Sequence, residues 1–93
     1  MQEIELEVRN PSGLHARPAS MFVKAAAGFR SRVRIENLTR GTKPGDAKSI
    51  LTMLTAGVKQ GHLVRITAEG DDESAAIASL ADLVRSGMGE PVE

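Results

Sequence analysis

The amino-acid sequence predicts an α+β two-layer domain, a β-sheet with helices packed on one face and water on the other. Three observations lead there. Short segments in which apolar and charged residues alternate, the period of a half-buried strand, are interleaved with longer segments carrying one apolar stripe at helical spacing. Their order along the chain is β-α-β-(β)-α-β-α. A length of 93 residues suffices for one small core and no more.

Each element has its own justification. Ile4, Leu6 and Val8 alternate with Glu3, Glu5, Glu7 and Arg9 as the first strand, and the turn cluster Asn10-Pro11-Ser12-Gly13 ends it. From Ala16 to about Gly28 the pattern is helical, with Ala19, Phe22, Val23 and Ala26 at i, i+3, i+4 and i+7. Pro18 is tolerated in the first turn, where N–H groups have no intrahelical acceptor to lose, and Gly28 closes the helix. Val33 and Ile35 alternate with Arg32, Arg34 and Glu36 as a second strand. Gly41 and Pro44-Gly45 punctuate the stretch 37–46, in which a short third strand is expected around 40–43.

Residues 49–56 read as a short helix, with Ser49 or Asp46 as its N-cap candidate. After the turn Lys59-Gln60-Gly61, Val64, Ile66 and Ala68 alternate with Arg65 and Thr67 as the last strand. Gly70-Asp71-Asp72 opens the last helix, and its acids, with Glu73, are expected to cap the positive end. Ile77, Leu80, Ala81 and Val84 form its stripe, and Gly87 ends it. A single domain over residues 1–88 and a frayed tail over 89–93 are expected.

Composition removes whole classes of function. Apolar residues make up 41% and charged residues 26%, an ordinary globular balance. With no Cys there are no disulfides, thiol nucleophiles, Fe–S clusters or cysteine zinc sites. Two Phe without Tyr or Trp leave few rings for stacking bases, and there is no dense basic stripe, so no nucleic-acid partner is expected. The alternating, charged start MQEIELEVRN shows no signal peptide or membrane span, so a cytoplasmic domain without membrane insertion is expected. Two distant His, His15 and His62, argue against a metal site, and His62 reads as surface structure.

The net charge of zero hides an asymmetry. Residues 1–68 carry eleven Lys or Arg against five acids, while residues 69–93 carry seven acids against Arg85 alone. A solvated acidic last helix accounts for this; a basic face turned toward an anionic ligand is the sharper reading.

The densest cluster of special residues is Asn10-Pro11-Ser12-Gly13-Leu14-His15-Ala16-Arg17-Pro18-Ala19-Ser20. With the helix starting at Ala16, His15 falls at or beside its N-cap, and the amides of Ala16 and Arg17 form a ready anion site. Arg17 adds a fork of donors that matches phosphate, and Gly13 lets the backbone bend to present His15. The positive helix end disfavours the imidazolium, leaving a ring nitrogen able to attack phosphorus, and the same donors would stabilise the phosphoryl oxygens without a metal. On these residues alone a plain helix cap beside a surface Arg remains the other reading.

Gly13-Leu14-His15-Ala16-Arg17-Pro18-Ala19 resembles the active-site motif of the histidine-containing phosphocarrier (HPr) family of the bacterial phosphoenolpyruvate:sugar phosphotransferase system. The resemblance runs through essentially the whole chain. Phe22-Val23-Lys24, Lys48-Ser49-Ile50-Leu51, Gln60-Gly61 and Ala68-Glu69-Gly70-Asp71-Asp72-Glu73 follow in the family's order and spacing. It implies an HPr-like open-faced β-sandwich, four antiparallel strands covered by three helices, and so supplies the third strand.

The resemblance further implies that His15 is phosphorylated on Nδ1 by enzyme I and passes the group to the enzyme IIA domain of a sugar permease. Arg17 would face the phosphate, with Ser12 and the amides of Ala16 and Arg17 assisting. No cofactor is implied, and a monomeric covalent carrier rather than a stand-alone enzyme is expected. Ser49 matches a serine that an ATP-dependent HPr kinase/phosphorylase modifies in some members. A helix-start hydroxyl needs no other purpose than capping, so both readings of Ser49 stay open.

Ile50, Leu51, Met53 and Leu54 spread around more than one face of a short helix, so some of them, above all Ile50, Leu51 and Leu54, are expected to remain exposed. The family implies that this region docks partners together with Met21 and Lys24. One stretch departs from the family's pattern: residues 36–46 are a few longer than its usual hairpin, and Pro44 implies an edge strand or an early end. A paralogous carrier in a nitrogen-related or regulatory chain is the alternative with the same His15 chemistry. A regulatory module that has lost transfer would lack the histidine, and no acid partner that would make His15 part of a hydrolase is identifiable.

Overall fold

The computed structural model describes residues 1–91. Its elements are β1 (Gln2–Glu7), α1 (Ala16–Ala27), β2 (Arg32–Asn37), β3 (Gly45–Asp46), α2 (Ile50–Ala56), β4 (Leu63–Glu69) and α3 (Glu73–Arg85). The strands form one antiparallel sheet in the order β1-β4-β2-β3. The register sets Leu6 opposite Val64, and Ile66 between Ile4 and Ile35, so the alternating apolar residues share one face. Ala19, Phe22 and Ala26 of α1 and Ile77, Leu80, Ala81 and Val84 of α3 are buried in one core with that face. Phe22 is the largest side chain wholly removed from water, and Leu14 is wholly buried with it. This is the open-faced sandwich the sequence implied.

The other sheet face is a lattice of charge. Arg65 lies 3.3 Å from Glu3, 2.8 Å from Glu5 and 3.5 Å from Glu36. Three of the acids of the basic portion of the chain are thus gathered around one of its arginines. Among the described residues, no helix is long and apolar enough to cross a membrane.

Two expectations need correction. The third strand lies at Gly45–Asp46, not at 40–43. Residues 38–41 form a turn instead, in which Leu38 N–H bonds to Leu63 O at 2.8 Å and Thr42 N–H bonds to Asn37 O at 3.1 Å. Pairing with β2 begins only after Pro44, at Ile35–Gly45 and Arg34–Asp46, because proline has no N–H to give a ladder.

The acids opening α3 do not cap it as expected. Asp72 occupies the N-cap position without a side-chain cap bond. Its carboxylate crosses instead to the segment before β2, accepting from the N–H of Arg30 at 2.8 Å and of Ser31 at 2.9 Å, and from the Ser31 hydroxyl. The Ser31 hydroxyl, with those amides, holds the Asp72 carboxyl down at about 2. Glu73 turns to the N-terminal ammonium of Met1, 2.9 Å away.

Candidate functional site

The loop between β1 and α1 is built to hold one side chain at a helix start. Gly13 has φ +60, and a Cβ on it would stand 2.3 Å from the carbonyl oxygen of Val58. Only glycine allows this approach, which lets Leu14 N–H bond to that same oxygen at 3.0 Å and sinks Leu14 into the core. The buried Asn10 closes the turn by donating from Nδ2 to Gly13 O at 2.9 Å. His15 follows directly as the N-cap of α1, with extended backbone (φ −126, ψ 164) and no cap bond from its ring.

The imidazole of His15 is therefore half-buried at the helix end but not consumed by capping. The first turn of α1 contains no acidic residue, and the amides of Ala16 and Arg17 precede the first helical bond, Ala19 N–H to His15 O. They are orphan donors beside the ring, at the positive end of the helix dipole. Ala16 has φ +51, a left-handed conformation unusual for a residue with a side chain. Arg17 is exposed, and among the described residues nothing holds its side chain. A nucleophilic nitrogen, two free amides and an unengaged guanidinium can accept, hold and release a phosphoryl group.

Ser12 takes a different place from the one expected. Its hydroxyl donates to Glu90 Oε2 at 2.7 Å and its N–H to Glu90 Oε1 at 3.0 Å, while Asn10 Nδ2 donates to the same Oε1 at 2.9 Å. Asn10, then the Ser12 hydroxyl and amide, lower the Glu90 carboxyl below the usual carboxylate range. Glu90 falls within the stretch expected to fray, yet it is tied to the loop between β1 and α1. Val92 and Glu93, also in that tail, lie outside the described residues. Nothing local in the sequence connects Glu90 with a loop 78 residues away.

His62 was expected to be surface structure. It is half-buried, and its Nδ1 accepts from Asn37 Nδ2 at 3.0 Å and from Lys59 N–H at 3.1 Å. It lines one open cleft with His15, Arg40, Gly57 and Lys59. The pair of β4 and the 57–61 turn brings together two histidines that are far apart in sequence.

On α2, Ile50, Leu51 and Leu54 are exposed at 46%, 72% and 45%, whereas Met53 and Ala56 are buried. The exposed trio lies on a helix packed against α1, where Met21 is half-buried and Lys24 exposed. Ser49 is the N-cap of α2 and accepts from Thr52 N–H at 3.3 Å, so the hydroxyl rather than Asp46 caps this helix.

Comparison with known proteins closes the identification. A profile for the PTS HPr component phosphorylation site matches residues 2–86. The chain belongs to the PTS HPr family. It is 37% identical over 84 residues to phosphocarrier protein HPr of Haemophilus influenzae, a match covering 90% of this chain and 95% of that protein. It is 40% identical over 86 residues to the multiphosphoryl transfer protein of Salmonella typhimurium, covering 92% of this chain but only 23% of that longer relative. Among solved structures, HPr-C-His from Thermoanaerobacter tengcongensis matches with a TM-score of 0.92 and 44% identity, over 99% of this chain and all of that one. The family is that of the HPr component of the phosphotransferase system, and its members include phosphocarriers such as the one from Haemophilus influenzae.

Proposed function

We propose that His15 is the phosphoryl acceptor, that enzyme I supplies the group in the cytoplasm, and that the monomeric carrier donates it to an enzyme IIA domain during sugar uptake. The observation that carries this reading is His15 itself: an N-cap imidazole with no cap bond, beside two orphan amides and the unengaged Arg17. Nδ1 of His15 attacks phosphorus with its lone pair as the donor's bond to phosphorus breaks, the donor keeping that bond's electron pair. Arg17 and the amides of Ala16 and Arg17 oppose the charge on the phosphoryl oxygens. Delivery to enzyme IIA is the same displacement in reverse, with His15 Nδ1 as the leaving group.

Docking in this reading uses Ile50, Leu51 and Leu54 of α2 with Met21 and Lys24 of α1. Ser49 stands at the edge of that face. A phosphate on its hydroxyl would add close to two negative charges beside the apolar trio and weaken docking there.

Incubation with enzyme I and phosphoenolpyruvate, followed by intact-mass measurement, tests the reading. Wild type is expected to gain one acid-labile phosphoryl adduct that His15→Ala cannot form. An unmodified wild type, or an adduct that survives His15→Ala, refutes it. Adding sugar-specific or nitrogen-related enzyme IIA in a second step separates the two possible chains by which one discharges the carrier.

A further inference from the structure

Arg40 lies in the long connection between β2 and β3, yet its side chain reaches the far end of α2. Its N–H donates to Asn37 Oδ1 at 3.2 Å, and its Nη1 donates to Ala56 O at 3.3 Å, among the carbonyls that the helix end leaves open. Gly57 makes the room. A Cβ at that position would stand 2.0 Å from Nη1, so the guanidinium occupies the space a side chain would fill. One of the five guanidinium N–H groups is used on the carbonyl, and the rest remain for an anion.

The His62 ring is held by the same buried residue. Asn37 Nδ2 donates to Ala56 O at 3.0 Å and to His62 Nδ1 at 3.0 Å, and Lys59 N–H donates to that ring nitrogen as well. A nitrogen accepting from an amide N–H carries no proton, so the His62 ring holds its proton on Nε2 and is a donor there. Arg40, Lys59 and His62 line the cleft that His15 opens into, whereas Arg17 does not. Among the described residues no carboxylate pairs with Arg40 or Lys59.

We propose that this cleft is a second phosphoryl-binding wall, in which Arg40, Lys59 and the Nε2–H of His62 hold the oxygens of the phosphoryl group as it moves to and from His15. The inference rests on His15 being the acceptor. While the bond from phosphorus to His15 Nδ1 forms and the donor departs with its electron pair, the phosphoryl oxygens keep their negative charge. The Arg40 guanidinium and the His62 ring, already held beside that volume, stabilise the transfer without rearranging, and the exposed Lys59 adds a charge that can swing to it. Arg17 and the helix amides act from the start of α1; Arg40 acts from the end of α2.

Stopped transfer from enzyme I and phosphoenolpyruvate, timed by mass, tests the proposal in Arg40→Gln, Arg40→Lys and Lys59→Gln, with Arg32→Gln on the open sheet face as control. Losing one fixed donor to a developing oxyanion slows reactions by about 10²–10³. With Arg17 retained, Arg40→Gln is expected to slow transfer roughly 10-fold or more, and Arg40→Lys to recover part of it. Arg32→Gln is expected to match wild type. Inorganic phosphate is expected to shift the His62 as well as the His15 side-chain NMR signals, and the His62 response should vanish in Arg40→Gln. Transfer within twofold of wild type in a phosphorylatable Arg40→Gln protein overturns the proposal alone. So does a lowered melting temperature with unchanged transfer, which assigns Arg40 to capping α2. A wild type that takes no phosphoryl group overturns the acceptor reading and this wall together.

Discussion

Replacing Gly13 with alanine tests how the active loop is held, independently of any partner protein. The native φ of +60 places alanine in the left-handed region, at a cost of about 1–2 kcal/mol. The added Cβ would also stand 2.3 Å from Val58 O and 2.8 Å from Lys59 Cα, and both obstacles are backbone, with no flexible end to swing aside. Relief requires the loop to lift, which breaks the 3.0 Å bond from Leu14 N–H to Val58 O. Leaving that buried pair unmade costs about 1–3 kcal/mol. The two contributions together give about 2–5 kcal/mol, a large share of the roughly 5–15 kcal/mol that holds a domain folded.

For a chain of 93 residues each kcal/mol moves the melting temperature by about 4–8 °C, so Gly13→Ala is expected to melt at least roughly 10 °C below wild type. Circular dichroism melts and denaturant midpoints measure it. Because Leu14 is the buried neighbour that aims His15, phosphoryl acceptance should fall even at temperatures where the variant is folded. A melting temperature within about 4 °C of wild type would refute the close approach of Gly13 to residues 58–59.

Two further outcomes follow from the same contacts. The Asp72 carboxyl titrates near 2 when folded, below its ordinary value of 3.8, so its contribution to stability is complete above the ordinary value and is lost as pH falls through about 2. Asp72→Asn should therefore flatten the decline in melting temperature between about pH 4 and pH 2, and an unchanged slope would remove Asp72 as its source. Leu51 is 72% exposed and supports no core, so Leu51→Glu should change stability by no more than about 0.5 kcal/mol while raising the KM for the carrier in the enzyme I assay. An unaltered KM would move docking off α2.

What could be read from the sequence was what local periodicity encodes. Ile4, Leu6, Val33, Ile35, Val64 and Ile66 announce their strands because each segment has one dry face, and both long helices show their stripes for the same reason. The exposed trio on α2 was legible too, since seven helical residues cannot bury apolar side chains on every side. The third strand was not, because two residues carry no period, and its position depends on where Pro44 stops obstructing a ladder. Asp72 misled by position: an acid at a helix start is ordinarily a cap, and its partners at Arg30 and Ser31 lie some forty residues back. His15 and Arg17 stood out because the proposed site and the helix start are contiguous in sequence. That His62 and Arg40 share a cleft with His15, and that Glu90 bonds Ser12, was hidden because each meeting is made through tertiary contact alone.

A carrier must surrender the group it takes, so its site cannot bind phosphoryl oxygens with every donor available. The division seen here fits that demand. Positioning is rigid, through Gly13, the buried Leu14 and the bond to Val58 O. The charge that Arg17 brings is soft by comparison: its side chain is exposed, and attraction between exposed charges about 4 Å apart is worth roughly 1 kcal/mol in water against several times that when shielded. Two neutral donors of the loop, the hydroxyl and amide of Ser12, are held by the Glu90 carboxylate. A phosphoryl group on His15 could gain them only by displacing that carboxylate and leaving Glu90 without its partners. In the proposed cycle, holding Ser12 on Glu90 thus lowers what the phosphorylated state gains from the loop.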